Sequence, residues 1–161
     1  KNAATQENPA RVINIASVNG ITHPGMKTYS YSASKAAVIH LTKHLSADLA
    51  PDNINVNAIA PGFFPSNMTA FMANDEAIHK ELTSNLPRGR MGNAKDAAGA
   101  AIYLSSRATA WMTGNTIVLD GGQVAAAGRD GAGSSGSTVR SFDHGSPHRH
   151  RRPIRSMPGE R

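Results

Sequence analysis

The sequence predicts an α/β fold built on a parallel sheet of about three strands. Short apolar runs rich in β-branched residues alternate with longer segments whose apolar residues recur every three or four positions. The resulting order is strand, helix, strand, helices, strand, which is typical of parallel sheets whose two faces are covered by helices. The chain has 161 residues and no cysteine, so one ordinary domain is expected, without disulfides or thiolate chemistry.

The first strand and the first helix are separated by a loop. Residues 11–17 begin with β-branched residues and predict a strand, and residues 18–30 contain the turn signals Asn19-Gly20 and Pro24-Gly25. Residues 31–50 predict a helix, which Pro51 ends. The apolar stripe of this helix consists of Val38, Leu41, Leu45 and Leu49.

The second half of the pattern contains two further strands. We predict the second strand over 53–60, which ends at Pro61-Gly62, and the third strand over 115–119, which ends at Asp120-Gly121-Gly122. Between them, residues 67–85 predict one or two short helices. Residues 94–107 predict an alanine-rich helix with a stripe of Ala97, Ala101 and Leu104.

The carboxyl ends of the three strands carry the residues of most interest. Ser17 ends the first strand, Pro61-Gly62 ends the second, and Gly121-Gly122 follows the third. Because the carboxyl ends of parallel strands meet at one edge of the sheet, where ligands bind, we expect these residues to lie on one rim.

Tyr31-Ser32-Ala33-Ser34-Lys35 is the most informative stretch of the chain. Positions four apart share a helix face, so the Lys35 ammonium is expected beside the Tyr31 phenol. An ammonium near a phenol stabilises the phenolate, and a phenol tuned in this way can exchange a proton with an alcohol or a developing alkoxide. Tyr29 has Ala33 four residues on and therefore lacks a cationic partner. Taken alone, this spacing also fits a solvent-exposed helix face.

The last 39 residues differ from the rest of the chain. Residues 123–161 are rich first in Gly and Ser and then in Arg and His, and carry seven Arg against three acidic residues. We predict a disordered tail, since little there could bury a core. Its three closely spaced histidines lack supporting carboxylates, so we predict no metal site, and its Arg run gives no specific sign of nucleic-acid binding. These histidines are His144, His148 and His150.

The compartment is predicted from what the sequence lacks. No segment approaches the ~20 apolar residues of a membrane span, and the first residues do not have the apolar core of a signal peptide. We therefore expect a soluble, cytoplasmic protein without a membrane partner.

Four motifs, in order, resemble the C-terminal half of a short-chain dehydrogenase/reductase. They are Asn14-Ile15-Ala16-Ser17, Tyr31-Ser32-Ala33-Ser34-Lys35-Ala36-Ala37, Asn55-Val56-Asn57-Ala58-Ile59-Ala60-Pro61-Gly62, and Thr113-Gly114 with Asp120-Gly121-Gly122. The resemblance covers about residues 10–122, and its details are similar to NADP-dependent reductases of the 3-oxoacyl or rhamnolipid-pathway type. It implies that residues 1–122 are the C-terminal half of a Rossmann-type, doubly wound parallel sheet.

The resemblance also implies a reaction and its residues. The expected activity is NAD(P)-dependent hydride transfer between an alcohol and a carbonyl, with NADP or NAD as cofactor. Tyr31 would be the general acid or base, Lys35 would assist it and bind the nicotinamide ribose, and Ser17 would polarise the substrate oxygen.

The family pattern extends to the cofactor and substrate contacts. The residues expected to contact cofactor are Tyr31, Lys35, Pro61, Gly62, Phe64 and Ser66, with Ile59 near the nicotinamide. Those expected to contact substrate are Ser17, Asn19, Phe63, Phe64 and Met68, with Phe71 and Met72 as further apolar candidates. A small carbonyl or alcohol is the expected partner, along with a second copy of the parent protein packed against the 31–50 helix.

The glycine-rich phosphate-binding turn of this family does not occur in the sequence. We therefore expect the chain to be a fragment of a larger enzyme, with the N-terminal half of the sheet absent and no turnover by the isolated 161 residues. Two alternatives are a non-catalytic pseudo-enzyme or oligomerisation fragment of the same fold, and a Ser-x-x-Lys acyl hydrolase with Ser32 as nucleophile. The second lacks the downstream motifs of that class.

Overall fold

In the computed structural model, three strands form one parallel sheet in the order β1-β2-β3. The structure describes residues 4–66, 69 and 75–127. The strands are β1 (Ala10–Ile15), β2 (Ile54–Pro61) and β3 (Thr116–Leu119). Val12 lies opposite Val56, and Ile59 lies opposite Ile117. The predicted α/β class and the parallel sheet are confirmed, and the strand ends share one edge.

Helices connect the strands as the periodicity predicts, with shifted boundaries. The helices are α1 (Tyr29–Leu49), α2 (Glu76–Ser84), α3 (Ala94–Ser105) and α4 (Gln123–Ala126). Helix α1 begins two residues before the predicted position and ends at Leu49, because the chain then tightens into a 3-10 turn at Ala50–Asp52 that contains Pro51. Helix α4 lies entirely beyond the predicted domain boundary at residue 122, in the first residues of the predicted tail. No helix in the described ranges is both long and apolar enough to cross a membrane.

The predicted apolar stripe of α1 is wrong at Leu41, which is 49% exposed. The residues of α1 that are buried are Thr42 and Ser46. Thr42 Oγ1 donates to the Val38 carbonyl at 2.8 Å and accepts from Asn14 Nδ2 at 2.9 Å. The Thr42 hydroxyl therefore has hydrogen-bond partners inside the interface with β1. Thr42 is the buried residue at this turn of the helix, where the apolar periodicity predicted Leu41.

Small residues let α1 approach the sheet closely. The buried cluster beneath α1 consists of Ala16, Ala58 and Ala60, with Val38 and Ile39 packed against it. Strand β2 is the centre of the sheet, and its residues from Asn55 to Ala60 are all buried. This central strand fixes the position of Pro61-Gly62 at the carboxyl edge.

Two buried asparagines of β2 hold the loop that precedes β3. Asn57 Nδ2 donates to the Met112 carbonyl at 2.7 Å, and Asn57 Oδ1 accepts from the Asn115 amide at 3.0 Å. Asn55 Nδ2 donates to the Ala110 carbonyl at 2.9 Å. These polar residues of the family motif therefore bind backbone groups of this loop and position β3.

Candidate active site

Ser17 lies just beyond the carboxyl end of β1. Its backbone is extended and it caps the 3-10 turn Val18–Gly20. Ser17 Oγ accepts a hydrogen bond from the Asn19 amide at 3.2 Å, and the residue is only 7% exposed. The hydroxyl is thus held at the edge of the sheet where the sequence predicted a ligand.

Tyr31 and Lys35 lie in the first two turns of α1. Lys35 Nζ is 5.6 Å from the centroid of the Tyr31 ring, so the predicted i, i+4 pair is formed. The same ammonium donates to the Ile15 carbonyl at 2.9 Å, at the end of β1. Lys35 therefore links α1 to the strand end that carries Ser17. Tyr29, the competing phenol, is 79% exposed.

A chain of polar side chains joins the loop after Ser17 to the start of α1. Asn19 Nδ2 donates to Thr28 Oγ1 at 3.5 Å, and Thr28 Oγ1 lies 3.3 Å from Ser32 Oγ. No hydrogen bond joins the Ser17 hydroxyl to the Tyr31 phenol in the part of the chain that the structure describes. Sequence reasoning predicted Asn19, named Ser32 only as the nucleophile of the alternative acyl hydrolase, and missed Thr28.

These three polar residues line a cavity beside the N-terminus of α1. Its volume is about 280 Å³. The other lining residues are Thr22, His23, Pro24, Met26 and Tyr29. The cavity is therefore bounded by the loop that follows Ser17 and by the face of α1 next to Tyr31.

The ends of β2 and β3 meet as predicted. The Gly62 amide donates to the Leu119 carbonyl at 3.0 Å, and a Cβ on Gly62 would lie 2.9 Å from the Asp120 Cα. Asp120 accepts from the amides of Gly122 at 2.8 Å and Val124 at 2.7 Å. The Pro61-Gly62 and Asp120-Gly121-Gly122 motifs therefore form one backbone junction, in which only glycine fits at position 62.

Phe63 and Phe64 line a second cavity, of about 220 Å³, at this junction. The Phe64 ring lies directly over Gly92, and the Gly92 amide donates to the Phe63 carbonyl at 2.9 Å. This cavity shares no lining residue with the one at Asn19. Ser66 is exposed, and its amide donates to Thr69 Oγ1 at 2.8 Å. Tyr31 lines neither cavity, and Met68, Phe71 and Met72 lie outside the described residues.

An ion pair borders the second cavity. Arg90 donates two hydrogen bonds to Asp96, at 2.7 and 3.0 Å, and Asp96 also accepts from the Asn93 amide in the capping box of α3. The Arg90 hydrogen bond, with that of the Asn93 amide, lowers the pKa of Asp96 to about 2. The same contact raises the pKa of Arg90. The pair stabilises the start of α3.

The fold and these contacts define a Rossmann-type sheet with a Tyr-Lys pair and a serine at one carboxyl edge. A family model described as enoyl-(acyl carrier protein) reductase matches residues 1–123. The chain belongs to the short-chain dehydrogenase/reductase family.

Particular relatives have related activities in their names. A rhamnolipid-biosynthesis 3-oxoacyl-[acyl-carrier-protein] reductase of Pseudomonas aeruginosa is 48% identical over 122 residues, covering 76% of this chain and 48% of that protein. A 2-dehydro-3-deoxy-D-gluconate 5-dehydrogenase of Dickeya dadantii is 41% identical over 120 residues, covering 74% and 47%.

Solved structures are similar over the same region. An active-site complex of Pseudomonas aeruginosa RhlG with NADP matches with a TM-score of 0.72 and 48% identity, covering 75% of this chain and 47% of that one. A gluconate 5-dehydrogenase of Burkholderia cenocepacia in complex with NADP and tartrate matches with a TM-score of 0.66 and 35% identity, covering 73% and 46%. The chain thus spans just under half the length of the relatives it matches.

Proposed function

We propose that this chain carries the proton-transferring half of an NAD(P)-dependent oxidoreductase that interconverts an alcohol and a carbonyl. The observation that carries the proposal is the position of the Lys35 ammonium, 5.6 Å from the Tyr31 ring and 2.9 Å from the carbonyl that ends β1. This contact supports the proposal because it joins the Tyr31–Lys35 pair of α1 to the end of the strand that precedes Ser17. Membership of the family and the NADP complexes of its solved relatives support the same reaction class.

Tyr31 is the residue that exchanges the proton. In reduction its phenol donates to the oxygen that gains charge, and in oxidation the phenolate takes the alcohol proton. Lys35 is the residue proposed to assist this transfer, and its ammonium lies 5.6 Å from the centroid of the Tyr31 ring. Ser17 Oγ, held by the Asn19 amide, donates to the substrate oxygen and orients it.

The residues present fit the nicotinamide and its ribose. An ammonium has three N–H donors, and within the described residues Lys35 uses one, on Ile15. The other two are suited to ribose hydroxyls. When bound, a nicotinamide cofactor, NADP or NAD, supplies hydride transfer to or from carbon. Pro61 and Gly62 would form the wall beside the ring, and Phe64 and Ser66 would approach it from the loop after β2.

The substrate would enter between the Ser17 turn and α1. Asn19 is already turned toward this cavity. Phe63 and Phe64 line the other cavity, so their contact with substrate, like that of Met68, stays a prediction from the sequence. A small carbonyl or alcohol is the expected substrate. Its oxygen must come within hydrogen-bond distance of both Ser17 and Tyr31 for proton transfer to occur.

The test is NADPH oxidation, followed by absorbance, with a panel of carbonyl substrates in the intact protein that carries this chain. Tyr31→Phe keeps the ring and removes the exchangeable proton, so we expect kcat to fall by about 10²–10⁴-fold, the usual share of general acid–base catalysis. Tyr103→Phe is the matched control and should retain normal kcat, since Tyr103 is an exposed residue of α3 and lines neither cavity.

Two results would contradict the proposal. Near-normal kcat in a folded Tyr31→Phe variant excludes Tyr31 as the proton donor. No turnover by the wild-type protein with either cofactor favours the non-catalytic alternative. In that case, loss of a residual hydrolytic activity in Ser32→Ala would revive the acyl-hydrolase interpretation. At present Ser32 Oγ lies beside Thr28, and the Lys35 ammonium lies on Ile15.

A further inference from the structure

Gly20 is packed against the backbone of α1 at Lys35. A Cβ at this position would lie 2.6 Å from the carbonyl carbon of Lys35, 2.7 Å from the amide nitrogen of Ala36 and 2.8 Å from the carbonyl oxygen of Lys35. All three are main-chain atoms within a helix, so they cannot rotate away as a flexible side chain could. An alanine here would have to push the turn and the helix apart.

The conformation of Gly20 does not itself require glycine. Among the residues that the structure describes, the glycines with a positive φ are Gly89, Gly114, Gly121 and Gly122, and Gly20 is not one of them. Its backbone therefore accepts an L-residue without strain. The close approach to α1 is the reason that a side chain is excluded.

The segment of residues 15–20, which carries Ser17, contacts Lys35 at both of its ends. At one end the Ile15 carbonyl accepts from Lys35 Nζ at 2.9 Å, and at the other end Gly20 contacts the Lys35 main chain. Ser17 lies between these two points, and the Gly20 amide donates to the Ser17 carbonyl at 3.0 Å. Val18, inside the turn, is 3% exposed. The segment is therefore clamped between β1 and α1 with little freedom to adjust.

We propose that Gly20 is a positioning residue, which sets the distance between the Ser17 hydroxyl and the Tyr31–Lys35 pair. This inference rests on the proposed oxidoreductase function. A Cβ at Gly20 moves the turn that carries Ser17 away from α1. Because proton transfer depends on hydrogen-bond distances, a displacement of about 1 Å costs on the order of 100-fold in rate.

The experiment compares Gly20→Ala with Gly25→Ala in the intact protein. Gly25 lies in the same loop, and a Cβ there meets nothing within 4 Å. We expect Gly20→Ala to lower kcat at least tenfold while the KM for NADPH stays within about threefold, since the turn that moves carries Ser17 and none of the proposed cofactor contacts, which are Lys35, Pro61 and Gly62. Gly25→Ala should leave both constants within about twofold of wild type.

The kcat is expressed per folded molecule, so that loss of stability does not imitate loss of positioning. If Gly20→Ala does not fold, Val18→Ala replaces it, because it loosens the same turn without inserting an atom between turn and helix. Normal kcat in the folded variant overturns the proposal. If the wild type turns over substrate and the folded variant has normal kcat, the positioning role of Gly20 is wrong but the proposed function still holds. A wild type without turnover instead contradicts the proposed function itself.

Discussion

Lys35 contacts both the candidate catalytic residue Tyr31 and the backbone of β1. Its ammonium contacts the end of β1 and lies 5.6 Å from the centroid of the Tyr31 ring, and its main chain is covered by Gly20. A lysine on an exposed helix face would lose side-chain entropy on being fixed in this way. The defined contact with a backbone carbonyl offsets part of that loss and directs the charge toward the carboxyl edge of the sheet.

We expect Lys35→Met to weaken both the proton step and cofactor binding. Methionine keeps the apolar stem and removes the charge and all three donors. The expected result is a fall in kcat of about 100-fold or more, together with a raised KM for NADPH. Lys43→Met, at an exposed position of the same helix, is the control and should alter neither constant. A Lys35→Met variant with a normal KM for the cofactor would contradict the ribose contact.

Because of Asp96, the free energy of unfolding of the domain depends on pH in the acid range. Its pKa is about 2 in the folded chain against an ordinary value of 3.8. A depressed folded pKa means that the unfolded state binds more protons between these values, so stability rises with pH there. The contribution is complete above the ordinary value, and it is lost as pH falls toward 2.

We predict that Asp96→Asn lowers the urea midpoint of unfolding at pH 5 and above. The difference from wild type should shrink as the pH falls from about 4 toward 2, because wild-type Asp96 then becomes protonated and loses its pairing with Arg90. Unfolding curves at half-unit pH steps measure this. Asp48→Asn, an exposed position of α1, serves as control. A difference that is constant down to pH 2 would show that the ion pair and the cap do not depend on the carboxylate charge.

At the scale of elements, β2 organises the molecule. It pairs with both other strands, it is buried from Asn55 to Ala60, and it ends at the Pro61-Gly62 junction. Its buried asparagines bind the loop between the 3-10 turn at Arg107–Thr109 and β3. These asparagines thus provide hydrogen-bond partners for loop carbonyls that are turned toward the protein interior and away from water.

Asn57→Leu is expected to destabilise the fold with little direct effect on Tyr31 or Lys35. The variant removes the hydrogen bonds that the part-buried Met112 carbonyl and Asn115 amide make with Asn57, and we expect a loss of about 1–3 kcal/mol. Urea unfolding should show this loss, and the kcat of the folded fraction should be preserved. Asn115→Ala, at an exposed position, should cost less than about 1 kcal/mol. Equal losses in the two variants would contradict the role given to Asn57.

At the scale of the whole molecule, the described surface exposes several large apolar side chains. Leu41 on α1, Ile102 on α3 and Trp111 before β3 are 49%, 69% and 101% exposed. The outer face of α1 also carries small residues, which permit close helix approach; these are Ala33, Ala36 and Ala37. We propose that the parent protein self-associates through this helix.

Leu41→Glu should therefore shift the protein toward a smaller assembly. A buried, unpaired carboxylate at a helix–helix contact is costly, so we expect the apparent mass from light scattering to fall at micromolar concentration. Ile102→Glu tests the other exposed helix in the same way. If Ile102→Glu dissociates the assembly and Leu41→Glu does not, the contact runs through α3 and the proposal for α1 is wrong.

The local pattern predicted most of the secondary structure. The three strands follow from short β-branched runs, and the ends of α1 and β2 follow from Pro51 and Pro61-Gly62. The parallel order follows because strands joined by helices must cross over. The pairing of Tyr31 with Lys35 was also predictable, since both lie within one helix and the i, i+4 spacing fixes their separation.

What the sequence determined by itself is the fold class and the local chemistry of one helix, because both depend on neighbours within a few residues. The tertiary structure alone decided that Thr42 and not Leu41 faces the core, that Lys35 binds Ile15, and that Gly20 contacts the helix backbone. It also separated Phe64 from the Asn19 cavity. Each of these contacts joins residues that lie on different elements or packs one element against another. Their distances are set by how closely helix and strand pack, a quantity that periodicity and spacing do not contain.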